Sequence, residues 1–137
     1  MGSYCFASPK VATIERCVAR IQEVYAGQEE NLSLDFTKQD SIVLNLQRAC
    51  EASIDLAMHS VRMRRLGVPQ DSRDAFELLK SDHVLDRDLA ERMKHMVGFR
   101  NIAVHDYTNI NLAIVHAIIT NHLSDFLAFT QKMLSLK

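Results

Sequence analysis

A chain of 137 residues that is 47% hydrophobic and 24% charged can bury one core of its own, which excludes a disordered polypeptide and sets the expectation of a single domain over residues 1–137. A formal net charge of −1 excludes attraction to a polyanion by the field of the whole molecule, so any contact with nucleic acid has to come from a local basic surface. Only four glycines and two prolines leave few places to turn, which favours a few long helices over many short strands.

The N-terminal Pro9–Tyr25 stretch puts Val11, Ile14, Val18, Ile21 and Tyr25 on one helical stripe, with Gly27 and Asn31 as its stop. The longest stretch runs from about Thr37 to Leu66, where Thr37 and Asp40 resemble a capping box. Its stripe is Ile42, Leu46, Ala49, Cys50, Ser53, Ala57 and Val61, and Gly67 and Pro69 end it behind Arg62, Arg64 and Arg65. A short helix from about Ser72 to Lys80 has Ser72 as its N-cap.

The fourth helix spans about Asp86 to His105 with Leu89, Met93, Met96, Val97 and Val104 inward. After a break at Tyr107-Thr108-Asn109, a fifth is capped by Asn111 and runs to about Ser135, with Ile114, Ile118, Leu123, Phe126 and Met133 on its apolar side. The reading is an all-α, up-and-down bundle of about five helices. Cys17 and Cys50 fall on apolar stripes and Cys5 has no paired spacing, so the cysteines read as reduced core residues rather than bridges or zinc ligands. The histidines are scattered, and neither a metal nor a cofactor is expected. With no secretory signal and no apolar run near the roughly 20 residues needed to span a bilayer, the expected location is cytoplasmic.

Chemistry concentrates in Arg100-Asn101-Ile102-Ala103-Val104-His105-Asp106-Tyr107. Histidine suits proton transfer because its unperturbed pKa of about 6.5 lies near working pH. Arginine stays charged and can grip two phosphate oxygens at once. On an ideal helix Asn101 and His105 share a face and Arg100 shares one with Tyr107, whereas Arg100 and His105 lie roughly 140° apart. They converge on one phosphate either through the length of Arg100 and a distortion at the helix end, or across a second copy of the chain.

This segment resembles the Arg-x4-His-x-Tyr signature of the HepT-type toxins of the HEPN superfamily, with asparagine directly after the arginine. The likeness extends to Leu44-Asn45-Leu46-Gln47-Arg48-Ala49-Cys50-Glu51, to Ile54-Asp55-Leu56-Ala57 and to Met93–Tyr107, and with the helix order it covers nearly everything after the first ten residues. The resemblance implies the toxin of a type VII-like toxin–antitoxin pair, a metal-independent endoribonuclease acting on tRNA or mRNA. Arg100 would be its phosphate clamp, His105 its general acid/base and Asn101 a support for His105 or a phosphate oxygen. It implies a homodimer with the site in a cleft between the copies, and a cognate MNT-type nucleotidyltransferase antitoxin that transfers AMP onto Tyr107. The alternative within the same family is a non-catalytic nucleotide- or RNA-binding module that scaffolds its partner transferase.

Structural explanations compete for the remaining residues. His59, His83, His95, His116 and His122 read as solvated or satisfied, although His95 and His122 could approach the cleft. Arg62, Arg64 and Arg65 read as a solvated face with a secondary part in guiding RNA. Glu51 and Asp55 read as an ordinary helix face.

Overall fold

The apolar stripes become six α-helices in the computed structural model, which describes residues 2–26 and 32–136, with side chains in the first helix from residue 9 onward. They are α1 (Gly2–Tyr25), α2 (Phe36–Met63), α3 (Ser72–Ser81), α4 (Arg87–His105), α5 (Leu112–Asn121) and α6 (Leu123–Leu134), with 3-10 turns at Leu32–Leu34 and Tyr107–Asn109. No strand occurs among the described residues. The expected stop at Gly27 and Asn31 lies outside the described residues, as does the side chain of Cys5.

Helix α2 is the centre of the bundle and packs against α1, α3, α4 and α6. All seven members of its stripe, from Ile42 to Val61, are buried. Phe76 of α3 meets Phe129 of α6 edge-on, with ring centroids 5.5 Å apart, tying the short helix to the core. Cys17 and Cys50 are buried and free, and burial pushes both thiols up, so neither is a ready nucleophile.

Three expectations are corrected in detail. Thr37 does not cap α2; the carboxylate of Asp35 accepts from the Lys38 N–H at 3.0 Å and starts the helix one residue before Phe36. Asp71 rather than Ser72 caps α3, accepting from the Asp74 N–H at 2.8 Å. The single fifth helix is two helices, bent by 51° where α5 gives way to α6. At that bend the carboxylate of Asp125, itself buried, meets His122 Nδ1 and Arg92 Nε, each at 2.9 Å. The cap at Asn111 is as expected, accepting from the Ala113 N–H at 2.8 Å. No single helix among the described residues is long and apolar enough to cross a membrane.

Candidate active site

The site segment hangs on the C-terminal half of α4. Asp86 caps this helix through the Leu89 N–H at 2.8 Å, and Leu89, Met93, Met96, Val97, Phe99 and Ala103 bury one side of it. That anchorage leaves Arg100 and Asn101 half-buried and Ile102, Val104 and His105 exposed. Val104, expected inward, is 41% exposed, because the buried line passes through Ala103 instead. The helix stays α-helical through His105, and the Asp106 N–H closes it on the Ile102 carbonyl at 2.8 Å.

Arg100 is held from two sides. Its Nη2 meets Glu51 Oε2 of α2 at 3.2 Å, and its Nη1 donates to Asn101 Oδ1 at 3.2 Å. Its Nε is buried without a hydrogen-bond partner among the described residues. Asn101 therefore turns its carbonyl to Arg100 rather than to His105. The His105 ring is exposed and makes no hydrogen bond or ion pair with another described residue. Arg100 and Asn101 are brought together; His105 stands apart at the helix end.

Tyr107 lies in the 3-10 turn that follows α4, so the face it was expected to share with Arg100 does not form. Its hydroxyl instead crosses to α2 and donates to Asp40 Oδ1. Burial and the Asp40 carboxylate together push the phenol up to about 12. Asp106, the acid nearest in sequence, is occupied by the Asn109 amide, which donates to Oδ1 at 2.9 Å and Oδ2 at 2.8 Å.

Sequence reasoning missed Asp40 and Glu51 as members of the site. Their spacing carried a signal, since about three turns of helix at 100° per residue put them within about 20° of each other on one face of α2. That face meets Tyr107 with one carboxylate and Arg100 with the other.

The sequence profile of the Ribonuclease HepT-like family matches residues 14–133. The chain belongs to that family. A HepT-like relative from Shewanella oneidensis described as an mRNA nuclease HepT is 52% identical over 120 residues, which is 88% of this chain and 90% of the relative. The fold is similar to that of a tri-AMPylated Shewanella oneidensis HEPN toxin solved in complex with MNT antitoxin, with a TM-score of 0.90 and 47% identity, covering 96% of this chain and 98% of that one. A toxin–antitoxin structure with AMP-PNP matches with a TM-score of 0.91 and 47% identity over the same shares of the two chains.

Beside the HepT-like motif runs an apolar groove of about 460 Å³ between α4 and α5, whose lining includes Phe99, Ile102, Ile110, Ile114 and His95. Ile114, expected in the core, is 50% exposed here. His122 is bonded to Asp125 at the α5–α6 bend, and the Tyr25 hydroxyl pairs with His116 Nδ1. Burial and the nearby Arg62 charge push His59 down, so it favours the neutral form. No group of three or more His, Cys, Asp or Glu among the described residues is arranged to hold a metal ion.

Proposed function

We propose that this HepT-like chain is an endoribonuclease toxin that cuts mRNA without a metal ion and is silenced when an MNT-type nucleotidyltransferase antitoxin AMPylates Tyr107. The observation that carries the reading is the end of α4. There a charged, prepositioned guanidinium at Arg100 and a free, exposed imidazole at His105 stand one beyond the other, with Tyr107 exposed immediately after.

The chemistry follows from these groups. His105 takes the proton of a ribose 2′-hydroxyl, the freed oxygen attacks the adjacent phosphorus, and the 5′-oxygen leaves after receiving a proton. Arg100 grips two non-bridging oxygens and stabilises the charge of the phosphorane-like transition state. Asn101 holds the guanidinium in plane, a support for Arg100 rather than for His105. An AMP on Tyr107 adds anionic phosphate and bulk near the motif, which blocks an RNA phosphate by charge and by volume.

Two copies of the chain complete the site in this reading. Because α4 remains regular through His105, no distortion draws Arg100 and His105 to one side, and they stay roughly 140° apart. Exposed Ile102 and Val104 flank His105 on α4, and Ile114 lines the same groove as Ile102, which supports an apolar contact between copies. The shared cleft then holds two histidines, one from each copy, one to take a proton and one to give it.

The test is cleavage of mRNA and tRNA by purified, unmodified protein in EDTA, beside a folded His105→Ala variant. Cleavage of mRNA that disappears in the variant supports the reading. If the wild type leaves both RNAs intact with Tyr107 free of AMP, the catalytic role fails and a nucleotide- or RNA-binding module takes its place.

A further inference from the structure

We infer that Asp40 is the base that takes the phenolic proton of Tyr107 when an adenylyl group is transferred to it. The inference rests on the reading above that Tyr107 is the modified residue. It deepens that reading by putting half of the transfer chemistry on the acceptor chain rather than on the transferase.

The geometry is specific. The Tyr107 hydroxyl donates to Asp40 Oδ1 across 67 positions of sequence, from the turn after α4 to the first turns of α2. A proton-accepting group has to lie within hydrogen-bond reach of the proton it removes, and Asp40 already does. Capping of α2 by Asp35 leaves the Asp40 carboxylate free for this contact. The other carboxylates near the motif are committed elsewhere, Asp106 to the Asn109 amide and Glu51 to Arg100. Both Tyr107 and Asp40 are exposed, so a transferase can bring its nucleotide to the hydroxyl without unfolding anything.

The acceptor needs such help. With its phenol pushed up to about 12, Tyr107 is neutral across the physiological range and a poor nucleophile as it stands. In the transfer, a bond forms between Tyr107 Oη and the α-phosphorus of a nucleoside triphosphate held by the transferase. The bond from that phosphorus to the β-phosphate bridging oxygen breaks, and pyrophosphate leaves with the electron pair. The phenolic proton passes to Asp40 Oδ1 along the existing hydrogen bond. Proton removal and attack then occur in one motion, so free phenolate is never required.

The experiment measures transfer of label from ATP labelled at its α-phosphate, using the cognate MNT-type nucleotidyltransferase and full-length chain over pH 6.5–10. The substrates are wild type, Asp40→Asn, Asp40→Glu and Tyr107→Phe. Near neutral pH, Asp40→Asn should be modified about a hundredfold more slowly, the usual size of a general-base contribution, through kcat with little change in KM for the chain. The ratio of wild type to Asp40→Asn should shrink as pH approaches 10, where hydroxide replaces the lost base, and Asp40→Glu should recover part of the rate. If Asp40 only held the turn in place, the deficit would be the same at every pH. A pH-independent deficit, or Asp40→Asn modified as fast as wild type, overturns the inference and leaves Tyr107 as the acceptor. Equal labelling of Tyr107→Phe, or an unlabelled wild type, overturns the reading beneath it and the inference together.

Discussion

Glu51 grips Arg100 through a pair that is partly open to water, with side-chain exposures of 30% for the arginine and 39% for the glutamate. Such pairs contribute only about 0–1 kcal/mol to stability, so Glu51 offers little resistance to a phosphate that presents two oxygens to the guanidinium at once. In the proposed role of Arg100, an RNA phosphate displaces Glu51. Glu51→Gln should leave the melting temperature within a few degrees of wild type and tighten RNA binding, measured on a His105→Ala background to prevent turnover; weaker binding would contradict this. Tyr107 gives a pH prediction. Its folded-state value is raised from near 10 to about 12, so the neutral phenol is favoured by folding. Its contribution to stability is complete below pH 10 and is lost as pH rises towards 12. Ring NMR of labelled tyrosine should place its midpoint above that of a free phenol, and Asp40→Asn should lower it part of the way, since burial, the larger cause, remains. A midpoint that Asp40→Asn leaves unchanged would contradict the contact with Asp40. Arg100, Asn101, His105 and Tyr107 were proposed from the sequence because they match the motif of a family it resembles. Asp40 and Glu51 could not, because an acid on a helix face means nothing until the face it meets is known.

At the scale of the element, the helices that were legible are those whose apolar stripe is buried by a neighbour, as in α2, most of α4 and α1 from Val11 onward, although α1 starts at Gly2 rather than at Pro9. The bend between α5 and α6 was not legible. It coincides with Asp125 meeting Arg92 of a distant helix and His122 of its own, an arrangement no local pattern encodes. Periodicity also failed at Val104 and Ile114, since an apolar residue at the right phase is buried only if something covers it. Two substitutions test this level. Asp125→Ala removes both contacts at the bend and should cost about 1–3 kcal/mol, because a buried carboxylate bonded to an arginine is worth that much; an unchanged thermal melt would refute its role. Gly98→Ala should be neutral or raise stability by up to about 1 kcal/mol, as expected for replacing glycine inside a helix. The added Cβ would lie 3.0 Å from Arg73 Nη2, the far end of a flexible side chain that can move aside.

For the whole molecule, a net charge of −1 gives RNA no long-range pull, so affinity has to arise locally and fall steeply with salt. The proposed pairing of chains rests on the exposed apolar residues beside His105. Sedimentation of unmodified protein should give twice the chain mass, and Ile102→Glu, at a position 44% exposed, should yield a folded single chain without cleavage activity. Full activity in such a single chain would remove the need for a second copy.

The most direct measurement is the single-turnover rate at which unmodified protein cuts an mRNA in EDTA, compared with His105→Ala and with the same RNA carrying 2′-deoxyribose at the cut. The account predicts cleavage by the wild type, a fall of about 10²–10⁴-fold in the folded variant, and no cut at the deoxy position. An unchanged rate in His105→Ala, or cleavage of the deoxy-substituted strand, would contradict it.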